Sequence, residues 1–208
     1  MIKLFIMNLY PLLCTFLPCI LYQVLVFRNK ELGNRKSVIT HFVWTYIFIL
    51  YIHLALKVAG IGSVWDIGYY ETIIRVEEIH LIPFKYGISM THILNIIMFM
   101  PLGFLLPLVW KRYRNIFKTI IVGAIFSLLI EFSQLFNLRT TDIDDLIMNI
   151  LGSFIGYFIW LFLLRNIKNI KHETYVLSKN ESIIYIILST VGMFFLYNWK
   201  FIFELLYV

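Results

Sequence analysis

Residues 119–164 read TIIVGAIFSLLIEFSQLFNLRTTDIDDLIMNILGSFIGYFIWLFLL. Two apolar runs, Thr119–Leu138 and Leu146–Leu164, are 20 and 19 residues long and flank the seven-residue connector Arg139–Asp145. Each run matches the roughly 20 residues that a helix needs to cross a hydrocarbon core about 30 Å thick. Only Glu131 interrupts them with a charge. The stretch therefore predicts two membrane-spanning helices joined by a short acidic connector.

The same pattern extends in both directions. Apolar runs at Leu4–Phe27, Ser37–Leu56, Tyr86–Trp110 and Ser182–Trp199 bring the total to six. Of the 208 residues, 61% are apolar and 14% charged, against about 45–50% and about 25% in soluble domains. The expected fold is all-α, a polytopic membrane helical bundle of about six transmembrane helices. Soluble enzyme folds, disulfide scaffolds and disordered tails are excluded. The first run follows a lysine, as a secretory signal does, but it is too long for a signal h-region and no small-residue cleavage site follows, so it is expected to be retained. Cys14 and Cys19 lie five residues apart in that run, about 140° around a helix, and form neither a disulfide nor a ligand pair on this spacing.

Lysine and arginine fall unevenly on the two sides. Loops 28–36, 111–118 and 165–181 hold four each, twelve in all, while Lys3, Lys57, Arg75, Lys85, Arg139 and Lys200 make six on the other face. The positive-inside bias puts the richer face in the cytoplasm and both termini outside. The net charge of +6 then serves anionic lipid headgroups rather than nucleic acid. Acidic residues crowd the opposite face, and Glu131 is the one acidic residue placed within a span.

The chain divides into two N-terminal helices (1–56), a long extracytoplasmic loop (57–85), a core of three helices (80–164), and a basic cytoplasmic loop with a C-terminal helix (165–208). The loop carries Trp65, Tyr69 and Tyr70 followed by apolar residues interleaved with charges. It fits an interfacial helix or a polar connector.

Three spans carry a polar or small stripe. His92, Asn95, Phe99 and Gly103 lie on one helical face, as do Gly123, Ser127, Glu131 and Gln134, and again Asp145, Asn149, Gly152, Ser153 and Gly156. Gly152 and Gly156 form a GxxxG pair that permits close helix approach. The three stripes are expected to face one another, and Gly156 is expected to tolerate bulk far less than Gly192. An ionisable side chain at mid-membrane costs about 2.5–3.5 kcal/mol, so Glu131 must face the bundle or water.

In motif order the sequence resembles the VanZ-like family of bacterial membrane proteins, named for a protein associated with resistance to glycopeptide antibiotics, teicoplanin among them. The resemblance rests on LIPF (Leu81–Phe84), NIIMFMPLGFL (Asn95–Leu105), SLLIEFSQL (Ser127–Leu135) and TDIDDLIMNILGSFIG (Thr141–Gly156). The family pattern falls on Asn95, Phe99, Pro101, Gly103, Glu131, Gln134, Asp142, Asp145 and Asn149, with Asp144 at a position where the family varies. The first and last spans lie outside this region. The resemblance implies a multi-pass protein of the bacterial cell membrane with a role at the cell envelope.

Three functions remain open on these residues. In an enzyme acting on membrane lipids or lipid-linked envelope precursors, Glu131, Asp142 and Asp145 are the catalytic candidates, with Glu131 as general acid or base. Asn95, Gln134, Arg139 and Asn149 would then hold the substrate, Arg139 pairing with a phosphate. A divalent cation on Asp142, Asp144 and Asp145 would find only a partial shell. The alternatives are a non-catalytic module that binds or shields a lipid, peptide or antibiotic, and a proton-coupled transporter. Transport is the weakest, because no repeat relates the two halves and only one buried carboxylate is in view. No dinucleotide loop, Walker A or Gly-x-Ser-x-Gly occurs, and the five histidines lack metal-ligand spacing. No cofactor is indicated.

Overall fold

A computed structural model of the chain describes residues 2–28, 34–67, 79–85, 87–137, 139–164 and 175–207. Among them run seven helices: α1 (Ile2–Phe27), α2 (Arg35–Ala59), α3 (Met90–Val109), α4 (Ile116–Gln134), α5 (Ile143–Leu164), α6 (Glu181–Leu196) and α7 (Trp199–Tyr207). Two two-residue strands, β1 (Ile79–His80) and β2 (Thr141–Asp142), pair in parallel. Helices α1 to α5 are each long and apolar enough to cross a membrane, and α6 with α7 makes a sixth if that bent pair is one span. The protein is an all-α polytopic bundle. The proposed interfacial helix falls mostly on residues 68–78 and the basic loop on 165–174, outside the described residues.

Polar residues chosen for capping set the helix ends. Asn34 accepts the Lys36 amide at the start of α2, and Gly60, at φ 62°, closes it with its N–H on the carbonyls of Leu56 and Lys57. Asn115 accepts the Lys118 amide at the start of α4, and Asp142 accepts the Asp144 amide at 2.9 Å at the start of α5. The sixth span is not the continuous run expected. At 16 residues α6 reaches only about 24 Å, and the chain then breaks at Tyr197 and Asn198 and turns by 50° into α7. Asn198 causes the restart, since its Oδ1 accepts the Phe201 amide at 3.1 Å.

The outer surface is apolar, and the interior mixes an apolar core with buried polar residues. Leu13, Leu17, Leu21, Val24 and Leu25 are exposed along α1, whereas Thr15, Gln23, His41, Thr45, His53 and Ser127 are buried. Phe48, Ile52 and Leu56 of α2 meet Phe99, Leu102 and Leu106 of α3 and Phe126 and Ile130 of α4 in one apolar core. Both cysteines are free and buried.

Glycine decides the closest approaches. A Cβ at Gly156 would collide with the Met100 carbonyl, one at Gly152 with the Ile96 carbonyl, and one at Gly103 with the Ser153 carbonyl. Helices α3 and α5 therefore run parallel with their backbones in contact, while α4, antiparallel, meets Ser153 at Gly123. Gly192 corrects an expectation. A Cβ there would strike the Cys14 carbonyl and come within 3.0 Å of Pro18, so at this point α6 also meets α1 backbone to backbone.

Candidate functional site

The α4–α5 connector turns back over the end of the three-helix core, and its acidic residues separate. Glu131 is 6% exposed, and its Oε2 accepts the Asp142 amide at 3.1 Å. The fold-back that brings these groups together is held by β1–β2, which sets His80 beside Asp142. There His80 Nδ1 stands 3.8 Å from the carboxylate. Asp145, in the first turn of α5, accepts from Asn95 Nδ2 at 2.5 Å and lies within electrostatic reach of Glu131, Asp142 and Arg139. One turn deeper, Asn149 Nδ2 donates to Ser127 Oγ at 2.9 Å. Asn149 Oδ1 is buried with no hydrogen-bond partner among the described residues.

Asp144 carries more of the site than the family pattern implies. It is buried, its Oδ1 accepts the Phe84 amide at 2.8 Å, and its Oδ2 lies 3.4 Å from His92 Nε2. Phe84 sits at φ 54°, a left-handed conformation that a bulky residue rarely adopts. The carboxylate and Pro83 hold the LIPF segment in that turn, with the Phe84 ring 6.1 Å from the His92 ring.

Ser89, His92 and Asp144 line up as a nucleophile, base and acid would, with Ser89 Oγ 2.9 Å from His92 Nδ1. The arrangement is a helix cap instead. His92 Nδ1 accepts the Ser89 backbone N–H at 2.7 Å, which occupies its single lone pair. The neutral ring then carries its proton on Nε2, directed at Asp144. His92 was placed on the third span's stripe by spacing, but nothing in the sequence pairs it with Asp144.

Two expected site residues lie apart from this centre. Gln134 Nε2 donates to the Ala59 carbonyl at 2.8 Å, so it seals the C-terminus of α2 rather than facing α5. Arg139 is exposed, with its guanidinium packed against Gly60, where a Cβ would come within 2.7 Å of Nε. The partial metal shell of Asp142, Asp144 and Asp145 does not assemble. The three carboxylates turn to the Asp144 amide, to Phe84 and His92, and to Asn95, and no described group of three or more His, Cys, Asp or Glu side chains is arranged around a metal position.

Further buried carboxylates, Asp66, Asp144 and Glu181, correct the expectation that Glu131 is alone. Glu181, assigned to a cytoplasmic loop by its position between apolar runs, is the first residue of α6 and 1% exposed. Its Oε1 accepts from His41 Nε2 at 2.9 Å and from the Tyr185 hydroxyl at 2.9 Å. Oε2 accepts from the Leu177 amide at 3.0 Å and Trp110 Nε1 at 3.2 Å. Tyr185 in turn accepts from Gln23 Nε2 at 3.1 Å. This node ties α1, α2, α3 and α6 at the end of the bundle opposite the Glu131 site.

Neither a curated protein nor a solved structure matches this chain. A family model does, and it begins well before the motifs that suggested it, inside α1, and ends just past α5. With residues 14–165 matched, and with them the whole Asn95, Glu131, Asp142 and Asp145 centre, the chain belongs to the VanZ/LLP1 family.

Proposed function

We propose that this membrane protein works in the bacterial cell envelope, where its Glu131 site binds an amphiphilic molecule and so protects the envelope against a glycopeptide-type drug or takes part in handling an envelope lipid. The observation that carries the reading is the convergence of Asn95, Glu131, Asp142 and Asp145 from α3, α4 and α5 at one end of the core. The face expected to lie outside the cell is the same end. Glu131 receives a single amide hydrogen bond and stays beside a second carboxylate, an arrangement suited to meeting a ligand. Glu181, by contrast, has its oxygens taken up by the protein itself.

The test measures membrane abundance and tolerance to teicoplanin and to envelope stress side by side for Glu131→Gln, Asp142→Asn and Asp145→Asn. Near-normal abundance with lost tolerance is expected, at least for Glu131→Gln. Full tolerance in all three variants would remove the site from the protein's function.

A further inference from the structure

We propose that the turn at residues 81–89, which leads from β1 into α3, is a membrane anchor whose apolar side chains sit among the acyl chains just beneath the headgroups of the leaflet at the Glu131 end. The contact goes beyond the function proposed above and does not depend on what the Glu131 site binds. Leu81, Ile82, Phe84 and Ile88 are between 40% and 76% exposed on a segment outside any helix. Water rarely faces so many large apolar side chains gathered on one short segment, and such a patch marks a surface that something else covers.

Two observations name lipid as the cover. The first is continuity. Met90, Ile93, Leu94 and Ile97 are the exposed apolar face of α3, the lipid-facing surface of a span, and Ile88 carries that surface on two residues before Met90. The strand paired with β1 is preceded instead by exposed Arg139 and Thr140, so this end of the bundle has an apolar flank and a polar one. The second is the backbone. Non-helical chain enters an apolar layer only where the protein itself satisfies its polar groups. Pro83 has no N–H to satisfy. The Phe84 amide donates to Asp144 Oδ1 at 2.8 Å, the Gly87 amide to the Phe84 carbonyl at 3.0 Å and the Ser89 amide to His92 Nδ1 at 2.7 Å. The depth follows from α3, whose 20 residues already cover about 30 Å, which leaves the turn at the boundary of the hydrocarbon rather than at its centre. Lys85 in the turn is exposed, and its long stem lets the ammonium group reach headgroup phosphates while the neighbouring side chains stay among acyl chains.

The test attaches an environment-sensitive fluorophore to Ile82→Cys, Ile88→Cys and Thr140→Cys in the full chain, one copy per phosphatidylcholine nanodisc, with wild type as the labelling background and unchanged melting showing that each variant folds. At both turn positions the probe is expected to emit to the blue of the Thr140 probe, to resist iodide, and to be quenched more by a nitroxide carried about 5–10 Å below the headgroups than by one at the bilayer centre. Iodide quenching at either turn position equal to that at Thr140 would place the turn in water and overturn the anchor. Blue emission that neither iodide nor a lipid nitroxide quenches would show the turn covered by the protein itself and overturn it as well. Strongest quenching by the central nitroxide would overturn the depth, and nitroxide quenching that disappears with two copies per disc would assign the face to a second chain instead.

Discussion

Glu131 and Glu181 are both buried carboxylates, and their partners give them opposite sensitivities. Glu181 accepts from His41, Tyr185, Leu177 and Trp110, so truncation to alanine strands four donors in the bundle interior. Each buried donor left unsatisfied costs about 1–3 kcal/mol, and Glu181→Ala should lower the detergent melting temperature of the full chain sharply. Glu181→Gln should also destabilise, by about 1–3 kcal/mol, because its amide turns one end of the side chain into a donor that faces donors. Glu131→Gln keeps an oxygen for the Asp142 amide and turns an N–H toward the carboxylate side, and should melt near wild type. Equal melting of Glu181→Gln and wild type would show that the node is not a structural lock. Glu131 was legible in the sequence because it breaks an apolar run in mid-span. Glu181 sits at the edge of its run beside Asn180 and Lys179, and hydropathy cannot separate a buried first-turn residue from a loop residue. Asp144 was hidden in a similar way, since its partners Phe84 and His92 lie 60 and 52 positions away.

At the scale of the helices, the argument turns on where backbones touch. Gly156 and Gly192 each leave no room for a Cβ against a neighbouring carbonyl, Met100 in one case and Cys14 in the other. Even alanine must push two helices apart at these positions, and overpacking costs about 1–3 kcal/mol. Gly156→Ala and Gly192→Ala should therefore both reduce folded yield and melting temperature, and leucine at either position should do so more severely. A yield for Gly192→Leu equal to wild type would detach α6 from α1. The α3–α5 contact could be read from the GxxxG spacing of Gly152 and Gly156, together with Gly103 on the facing stripe. The α1–α6 contact could not, because Gly192 is alone and meets Cys14 and Pro18 rather than another glycine. The break between α6 and α7 was missed for a related reason. A lone Asn198 does not end a run that stays apolar on both sides of it, and the signal was its capping chemistry.

For the molecule as a whole, the two ends of the bundle differ in chemistry, and which end faces the cytoplasm decides what the Glu131 site can meet. The described basic residues of loops 28–36, 111–118 and 165–181, namely Arg28, Arg35, Lys36, Lys111, Arg112, Arg114, Lys118 and Lys179, lie at the end that holds the Glu181 node, and the connector bearing Asp142, Asp144 and Asp145 is at the other. Translocating the basic loops is opposed by the positive-inside bias, whereas acidic residues carry little topological weight. The carboxylate end should therefore be extracytoplasmic. The structure also selects the labelling positions. Cys14 and Cys19 are buried, so the wild-type background should be silent to a thiol reagent. Ser63 is a poor reporter because it is buried and bonded to Asp66, whose Oδ2 accepts its amide at 2.7 Å, but Thr140 and Lys111 are exposed at opposite ends. Thr140→Cys should react with a membrane-impermeant maleimide in intact cells, and Lys111→Cys only after permeabilisation. The reverse pattern would turn the bundle over and place the Glu131 site on the cytoplasmic leaflet, where a drug acting from outside the cell could not be its ligand.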